Sequence, residues 1–336
     1  MKRVFLGFIG LVLITGLIGC RETPTSGSFD PPPSDAPLPV KSIEDIIQAQ
    51  GDTANGVLEI TIERTDIGNV QGVGFIGDSV TFTPSFEIHG DIFFQPLGGD
   101  TAFLNGDMAL KQSEVDPFIK ALLNSGLVFQ AYHQHFPMNP QIWFVHFRGK
   151  CNPIKLAKAV KAALNVTSTR FPQTLPQNPT TPLDTARLAK ILDAQHISIG
   201  NDGVVTAWVY RRTTVTIDGV VVNPQANIST SIEFKPLGGS QADVMPDFSM
   251  KTGGVDTVVH LMSKQFKWQQ GCLYNQETGE NPQLYFDHML KVGDAYTLAE
   301  EIRRALDLTD AEGSPKKTLM PAASENIDKK IDCGCK

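Results

Sequence analysis

An internal duplication constrains the fold of this 336-residue chain more than any other feature. Residues 94–116 align with residues 234–256 without a gap, and ten of these 23 positions are identical. Two further matches follow in the same order, 139–147 with 281–289 and 156–167 with 298–309. The offset between the copies grows from 140 to 142, so a two-residue insertion lies between residues 256 and 281. Solenoid repeats have about 20 to 50 residues, so two units of this length predict two similar domains instead.

The hydrophobic periodicity alternates within the first copy between that of helices and that of strands. Apolar residues recur at helical spacing in 115–123 and 156–164. Runs rich in aromatic and β-branched residues predict strands at 57–64, 86–95, 128–135 and 142–148. We therefore expect an α+β fold with two similar tandem domains, each an antiparallel sheet with a central hairpin and two or three packed amphipathic helices.

The repeats and the composition of the remaining chain define six expected segments. These are a cleaved lipoprotein signal peptide at 1–19, a lipidated cysteine with a Pro/Ser-rich tether at 20–40, the first repeat domain with a histidine cluster at 41–170, a proline-rich linker at 171–182, the second repeat domain at 183–310 and a polar tail ending in Cys-Gly-Cys at 311–336.

The N-terminus has the features of an export signal. Lys2 and Arg3 precede an apolar stretch that ends in the sequence LIGC at 17–20. These four residues resemble the lipobox of bacterial lipoproteins, in which the cysteine receives acyl chains such as palmitate. The alternative is an ordinary secretory signal with an incidental cysteine. We expect an exported protein that Cys20 anchors to the lipid bilayer of the cell envelope, at the periplasmic face of the outer membrane or at the cell surface.

The charge balance excludes one class of partner. The chain has 29 basic and 36 acidic residues, a net charge of −7, and no basic stripe that could neutralise phosphates. Nucleic acid is therefore not an expected partner. The sequence does not identify a small-molecule or protein partner.

Three histidines cluster in the predicted hairpin of the first copy. His133 and His135 are two residues apart on its first strand, so their side chains share a face. A four-residue loop at 138–141 would place His146, on the return strand, on the same face and directly opposite His133. Three converging imidazoles are typical of a site that holds zinc or another divalent metal with an open position for water or substrate.

Two carboxylates are candidates to complete this site. Glu114, at the start of the preceding helix, is the candidate fourth ligand and catalytic base, and Asp107 could serve the same ends. A metal-bound water beside such a carboxylate would support hydrolysis, but the spacing does not specify a reaction, so enzymatic activity stays open. The alternative is a metal-free binding or scaffold lipoprotein, in which the histidines are structural or contact an envelope ligand.

The second copy lacks most of this constellation. His288 aligns with His146, but neither His133 nor His135 has a histidine counterpart at an offset of 140 or 142, and a glycine replaces Glu114. We therefore expect the site to belong to the first copy, with the second copy as scaffold and His288 as a structural residue.

Other histidines and glycines carry weaker signals. His89 could approach the same face, whereas His196 and His260 are assigned no role. The Pro-Leu-Gly-Gly motifs at 96–99 and 236–239 are expected to be turns, because no Gly-Lys-Ser/Thr follows them as a phosphate loop requires.

The remaining cysteines leave several pairings open. An exported protein favours disulfides, yet Cys151 and Cys272 are not at equivalent repeat positions. We expect a disulfide involving Cys333 or Cys335, either within the tail or to one of the other two cysteines. Chelation of a soft metal by the tail is the alternative.

Several motifs together resemble the LppY/LpqO lipoprotein family, also described as DUF1259. The pattern of Gly-Asp, Glu-Val-Asp-Pro, His-x-His and Val-His-Phe falls on residues 106–107, 114–117, 133–135 and 145–147. Gln134 replaces the more usual asparagine between the histidines. The resemblance covers about residues 41–310, including the duplication, and it implies an exported lipoprotein without an established activity.

Overall fold

The structure is a computed structural model that describes residues 37–74 and 80–315. The predicted signal peptide, the lipidated Cys20, most of the tether and the Cys-Gly-Cys tail lie outside these residues. Within the described ranges, no helix is both long and apolar enough to cross a bilayer.

The elements follow the same order in both repeats. The first repeat contains α1 (Val40–Ile47), β1 (Asp52–Ala54), β2 (Val57–Glu63), β3 (Val70–Gly72), β4 (Thr81–Phe82), β5 (His89–Gly98), β6 (Thr101–Lys111), α2 (Gln112–Asn124), β7 (Val128–His133), β8 (Met138–Asn139), β9 (Ile142–Cys151) and α3 (Pro153–Leu164). The second contains α4 (Thr185–Leu192), β10 (His196–Ile199), a 3₁₀ turn (Asn201–Gly203), β11 (Val205–Val209), β12 (Val215–Ile217), β13 (Val220–Val222), β14 (Thr230–Gly238), β15 (Gln241–Lys251), α5 (Thr252–Val259), a π-helical segment (His260–Gln265), β16 (Gln269–Tyr274), β17 (Glu280–Asn281), β18 (Leu284–Asp294) and α6 (Ala295–Leu306).

The sheet topology confirms the predicted α+β fold of two similar tandem domains. The first repeat forms a six-stranded antiparallel sheet of order β1-β2-β5-β6-β9-β7, and the second forms β10-β11-β14-β15-β18-β16. Each repeat also has a small three-stranded sheet, β4-β3-β8 in the first and β13-β12-β17 in the second. The predicted hairpin, formed by β7 and β9, lies at one edge of its sheet.

Local sequence determines where several elements begin. Helix α3 starts after Asn152, whose side-chain oxygen accepts hydrogen bonds from two backbone N–H groups of the first turn. Asp294 caps α6 in the same way. The motifs at 96–99 and 236–239 turn β5 into β6 and β14 into β15, as predicted. Their glycines have φ values of 103° and 55° in the first motif and 118° and 57° in the second, a region that favours glycine.

The two large sheets lie face to face, and helices cover their outer faces. On β5, Ile92 and Phe94 belong to the core beneath the helices of the first repeat. Phe93, between them, packs instead against Trp208 of the second repeat. Because successive side chains of a strand point to opposite faces, every second residue of the central strands lies between the repeats. The site described below is built from these inner faces.

The two extra residues of the second repeat are accommodated at separate places. One lies in the helix after β15, where the π-helical segment His260–Gln265 takes up an added residue. Tyr274 of β16 pairs with Phe286, and His133 of β7 pairs with Phe144, the residue that aligns with Phe286. The offset between β7 and β16 is therefore 141. The other extra residue lies between β16 and β17, after which the offset is 142.

Candidate metal centre between the repeats

Equivalent histidines on β9 and β18 lie on the two inner faces. His146 pairs in strand register with Asp107, and His288 pairs with Asp247. His146 Nδ1 lies 3.9 Å from Asp107 Oδ2, and His288 Nδ1 lies 3.6 Å from Asp247 Oδ1. The duplication therefore brings one His–Asp pair from each repeat into the region between the sheets.

His133 meets His146 diagonally rather than directly. His133 lies opposite Phe144, and Ala131 lies opposite His146. The predicted four-residue loop and direct pairing are wrong, because the connection spans residues 134–141 and contains β8, which pairs with β3. The register differs from the predicted one by two residues, which keeps both histidines on one face. His133 Nε2 lies 2.8 Å from His146 Nε2.

His135 lies just beyond the end of β7 in an enclosed environment. Its ring stacks on Phe144 and on His288, with ring centroids 3.6 Å and 3.7 Å apart. His135 Nδ1 lies 2.8 Å from Glu87 Oε1. The residue is only 6% exposed, and its Nε2 has no hydrogen-bond partner among the described residues. An orphaned buried nitrogen of this kind is costly unless a ligand satisfies it.

The second repeat contributes a thiol and a phenol to the same region. Cys272 Sγ lies 3.6 Å from His133 Nδ1 and 3.7 Å from His288 Nδ1. Tyr274 occupies the position that His133 has in the first repeat. Its ring centroid lies 3.7 Å from that of His133, and its hydroxyl lies 3.5 Å from His146 Nε2.

Two groups of side chains here could hold a metal ion. One consists of His133, His135 and Cys272, and the other of Glu87, His135 and His288. In each group the ligand atoms lie within 4.8 Å of one another. We call these five residues the interface cluster. The expectation that the site belongs to the first copy, with His288 as a merely structural residue, is corrected, because the inner faces of both sheets meet at His135.

Glu114, the predicted fourth ligand and base, is not part of the interface cluster. Its carboxylate holds the guanidinium of Arg64, with Oε2 2.7 Å from Nη2, and both residues are buried. It also accepts hydrogen bonds from the backbone N–H groups of Lys111 and Ser168. Because a buried guanidinium without a carboxylate partner is costly, these contacts give Glu114 a structural role, and neither metal-binding group contains it.

The second repeat satisfies the equivalent arginine with a different residue. Arg211 corresponds to Arg64 in strand register, and its Nη2 lies 2.9 Å from Asp310 Oδ1. The helix that follows β15 has Gly254 at the position of Glu114. In the second repeat the carboxylate that pairs with the buried arginine is therefore supplied by the segment after α6. This replacement supports the structural role of Glu114.

Burial keeps the imidazoles of the cluster, and that of the adjacent His146, uncharged. It lowers the pKa of His133 to about 4, and it lowers the pKa of His135, His146 and His288 well below the usual range. Neutral imidazole is the form that binds metals. Burial also raises the pKa of the Cys272 thiol, and Asp247 adds to this effect. The thiol therefore retains its proton until a cation binds beside it.

An inner cavity of about 50 Å³ adjoins the interface cluster. Glu87, His135 and His288 line it, together with Asp107 and Asp247. Burial raises the pKa of Asp107 to about 7, with the charge of a neighbouring aspartate adding to it. Burial likewise raises the pKa of Glu87 and Asp247 well above the usual range. Several acidic side chains are thus held in a small space, and their raised pKa values reduce the negative charge that they carry there.

His89 also lines the inner cavity. Its Nε2 lies 3.2 Å from Glu233 Oε1 and 3.7 Å from Asp91 Oδ2. Burial alone would lower the pKa of His89, but these two carboxylates reverse the effect and raise it well above the usual range. His89 therefore differs from the neutral histidines of the interface cluster. His196 on β10 and His260 after α5 belong to neither metal-binding group.

Sequence reasoning missed three residues of this region. Cys272 and Tyr274 escaped because the repeats were compared at offsets of 140 and 142, whereas β16 has an offset of 141. An alignment that placed the two inserted residues at separate positions would have aligned Tyr274 with His133. Glu87 lies outside the matching segments, and no sequence signal identified it. Among the described cysteines, Cys151 and Cys272 are both free thiols.

Comparison with known proteins gives a match to one family model. It is described as "Domain of Unknown Function (DUF1259)" and matches residues 41–166 and 186–308, one region in each repeat. Comparisons with curated proteins and with solved structures found no match.

Proposed function

Because the chain belongs to the family described as Domain of Unknown Function (DUF1259), whose description supplies no activity, we propose a function from the site itself: the interface cluster binds zinc or another borderline divalent metal. The duplicated family membership expected from the sequence is confirmed. The LppY/LpqO name and the lipoprotein character remain predictions.

The position of the Cys272 sulfur carries this proposal. A tetrahedral zinc with typical Zn–S and Zn–N bonds holds a sulfur and a nitrogen ligand about 3.6 Å apart. Cys272 Sγ lies 3.6 Å and 3.7 Å from the Nδ1 atoms of His133 and His288. The unpartnered Nε2 of His135 is a further donor in the same enclosed region. A soft sulfur beside imidazoles favours zinc or copper over magnesium or calcium.

The ligand set supports binding more than hydrolysis. Hydrolysis was predicted with Glu114 as the base, and this carboxylate is engaged by Arg64 instead. Glu87, the carboxylate of the interface cluster, is hydrogen-bonded to His135, and the other sequence candidate, Asp107, lies beside His146 outside the cluster. We therefore propose that the protein stores or transfers the metal.

Metal analysis of the full chain, purified in detergent with a reductant, tests this function. After incubation with zinc and removal of free metal, we expect close to one zinc per chain by inductively coupled plasma mass spectrometry. Cys272→Ser and His133→Ala/His135→Ala should each lose most of it, because they remove donors of the cluster.

Matched variants separate the cluster from nonspecific binding. Cys151→Ser removes the other described thiol, and His260→Ala removes an exposed imidazole; both should retain the parent zinc content. Zinc that persists in Cys272→Ser and in the double-histidine variant would reject the proposal. Absence of zinc, copper, manganese and iron from the parent would favour the metal-free binding lipoprotein.

We also propose that the protein is exported and held at the bacterial envelope by acyl chains on Cys20. The proposal rests on the LIGC sequence at 17–20 and on the general finding that more than one acyl chain is needed for stable anchoring. In cells given labelled palmitate, the parent should be labelled and sediment with membranes. Cys20→Ala should lose both properties, and an unlabelled parent would contradict the anchor.

A further inference from the structure

Glu87 has a backbone conformation that glutamate disfavours. Its φ value is 78°, in the left-handed region that glycine and asparagine adopt most readily. The residue is only 3% exposed, and its backbone N–H donates a hydrogen bond of 3.1 Å to Glu233 Oε2. Strained residues of this kind persist where the surrounding structure holds them, and they cluster at functional sites. A glutamate in this conformation beside the inner cavity therefore requires an explanation.

The second repeat has the same conformation at the equivalent position but a different residue. Residues 86–94 align with residues 226–234 at the offset of 140, and β5 pairs with β6 in the same register as β14 with β15. Asn227 therefore occupies the position of Glu87, and its φ value of 60° lies in the same region. Asparagine tolerates this region at a lower cost, because its short side chain can hydrogen-bond locally. The fold thus requires the conformation, and the first repeat retains a costlier residue there.

The Glu87 carboxylate occupies one nitrogen of His135. Its Oε1 lies 2.8 Å from Nδ1, which is a hydrogen-bond distance. An oxygen and a nitrogen bound to one tetrahedral zinc lie about 3.3 Å apart, so the pair fits a hydrogen bond better than shared coordination. The His135 ring stacks on Phe144 and on His288, and these contacts hold its orientation. Nε2, which has no partner among the described residues, is therefore the nitrogen left for a metal.

We propose that Glu87 is a positioning residue for the metal, an inference that rests on the proposed metal-binding function. Its carboxylate holds His135 through Nδ1 and leaves Nε2 to the ion. The metal then binds in the group of His133, His135 and Cys272, and Glu87 stays outside its ligands. Ligating histidines commonly bond their second nitrogen to a carboxylate, and this outer partner contributes about 10- to 100-fold to metal affinity. That contribution is the reason for a glutamate where asparagine would satisfy the fold.

Paired variants of Glu87 test this role by zinc affinity, measured by chelator competition on the full chain in detergent with a reductant. Glu87→Asn shortens the side chain, which removes the hydrogen bond to His135, and should weaken zinc binding by about 10- to 100-fold. Glu87→Gln removes the same charge but keeps the length and an oxygen that accepts from Nδ1, so it should lose less than about tenfold. Equal losses in both variants, or no loss in Glu87→Asn, would overturn the role.

Two further measurements separate positioning from a structural role and from a ligand role. Without metal, Glu87→Asn should unfold at the temperature of the parent or above it, because asparagine relieves the backbone strain. A lower unfolding temperature would show that the glutamate serves the fold. With saturating cobalt, the variant should retain the visible absorption bands of the parent, which report on the metal ligands. A shift or loss of these bands would show that Glu87 is itself a ligand, and either contrary result would overturn the proposal.

A matched exchange at another left-handed position controls for the backbone change. Gln48, at the end of α1, has a φ value of 65° and is exposed and outside the interface cluster. Gln48→Asn should bind zinc with the parent affinity, and a loss equal to that of Glu87→Asn would overturn the role. Unchanged affinity in Glu87→Asn would overturn the positioning role alone and leave the metal centre intact. A parent that binds no zinc would overturn the positioning role and the proposed function together.

Discussion

The two repeats have the same frame but present different chemistry on their inner faces. Both contribute a histidine paired in register with an aspartate, and both bury an arginine at the end of an equivalent strand. At the edge strand the first repeat presents His133, whereas the second presents Cys272 and Tyr274. Duplication thus provides two similar surfaces. The candidate site forms where residues of the first surface contact different residues of the second.

Exchange of the carboxylate that holds the buried arginine should have the largest effect. Asp310→Asn removes the carboxylate 2.9 Å from Arg211 and should destabilise the protein by about 3–5 kcal/mol, as expected for a broken buried ion pair. Glu114→Gln should cost only about 1.5–3 kcal/mol, because Arg64 retains Asp66 at 2.9 Å. Denaturant unfolding at pH 7 measures both, and equal losses would contradict the difference between the repeats.

A transplanted carboxylate sharpens this comparison. Adding Gly254→Glu to Asp310→Asn places an acid where the first repeat has Glu114. A Cβ at Gly254 meets nothing closer than 3.9 Å, so the backbone position accepts a side chain without a clash at its first atom. We expect recovery of about 1–2 kcal/mol of unfolding free energy relative to Asp310→Asn alone. No recovery would show that the two arginine sites are not interchangeable.

Exchange of the edge-strand residues should affect the two repeats unequally. His133→Tyr copies the second repeat onto the first and should weaken zinc binding by more than about 100-fold, since even outer partners of metal ligands contribute 10- to 100-fold. Tyr274→His makes the reverse change and should alter the affinity by less than about tenfold, because Tyr274 is not in the interface cluster. Chelator competition measures both affinities. Similar losses would mean that Tyr274 is itself a ligand.

Acid should reveal the contribution of Asp66 to the stability of the first repeat. The hydrogen bonds and charges of Arg64 and Lys111 outweigh burial and lower the pKa of Asp66 to about 2. A lowered carboxyl pKa stabilises the fold above the unfolded-state value of about 4, and this stability is lost as pH falls towards 2. The loss should be on the order of 2 kcal/mol.

The variant Asp66→Asn isolates that contribution. Its unfolding free energy should fall less steeply than that of the parent between pH 4 and pH 2. The second repeat has Thr213 at the corresponding position, where its side chain hydrogen-bonds to Asp310. Parallel parent and Asp66→Asn curves would contradict the assignment.

The smallest expected effect concerns the helices after β6 and β15. Helix α5 begins with Thr-Gly-Gly, whereas α2 has Ser113 and Glu114 at the glycine positions. A Cβ at Gly253 meets nothing within 4 Å, so Gly253→Ala should stabilise the protein by about 0.4–1 kcal/mol by restricting the unfolded chain. The matched change Ser113→Ala should stay within about 0.5 kcal/mol. Thermal unfolding distinguishes the two.

Much of the fold could be predicted because its signals are local. The helical spacing at 115–123 and 156–164 falls within α2 and α3, and the predicted strand at 57–64 matches β2 to within one residue. The His–x–His pattern also placed His133 on the correct face, since side-chain alternation in a strand survives a register shift of two residues. The exact register was not predictable, because it depends on β8 leaving the hairpin to pair with β3.

The roles of single residues were harder to predict. Glu114 has the charge and position of a ligand, but only the structure shows Arg64 beside it, 50 residues earlier in the chain. The assignment of the second repeat to a scaffold role failed for a related reason. The sequence comparison considered only residues at aligned positions of the two repeats. The site instead joins residues at positions that do not align, such as His133 and Cys272.

The sequence by itself determined the duplication, the alternation of helices and strands, and the supply of imidazoles for a metal. These follow from periodicity and from side-chain chemistry, which are properties of neighbouring residues. The tertiary structure decided which faces meet. Cys272 and His133 are 139 residues apart in the chain but 3.6 Å apart in space, because burial of both apolar inner faces presses the sheets together. That packing, and not any local pattern, converts two incomplete surfaces into one candidate metal centre.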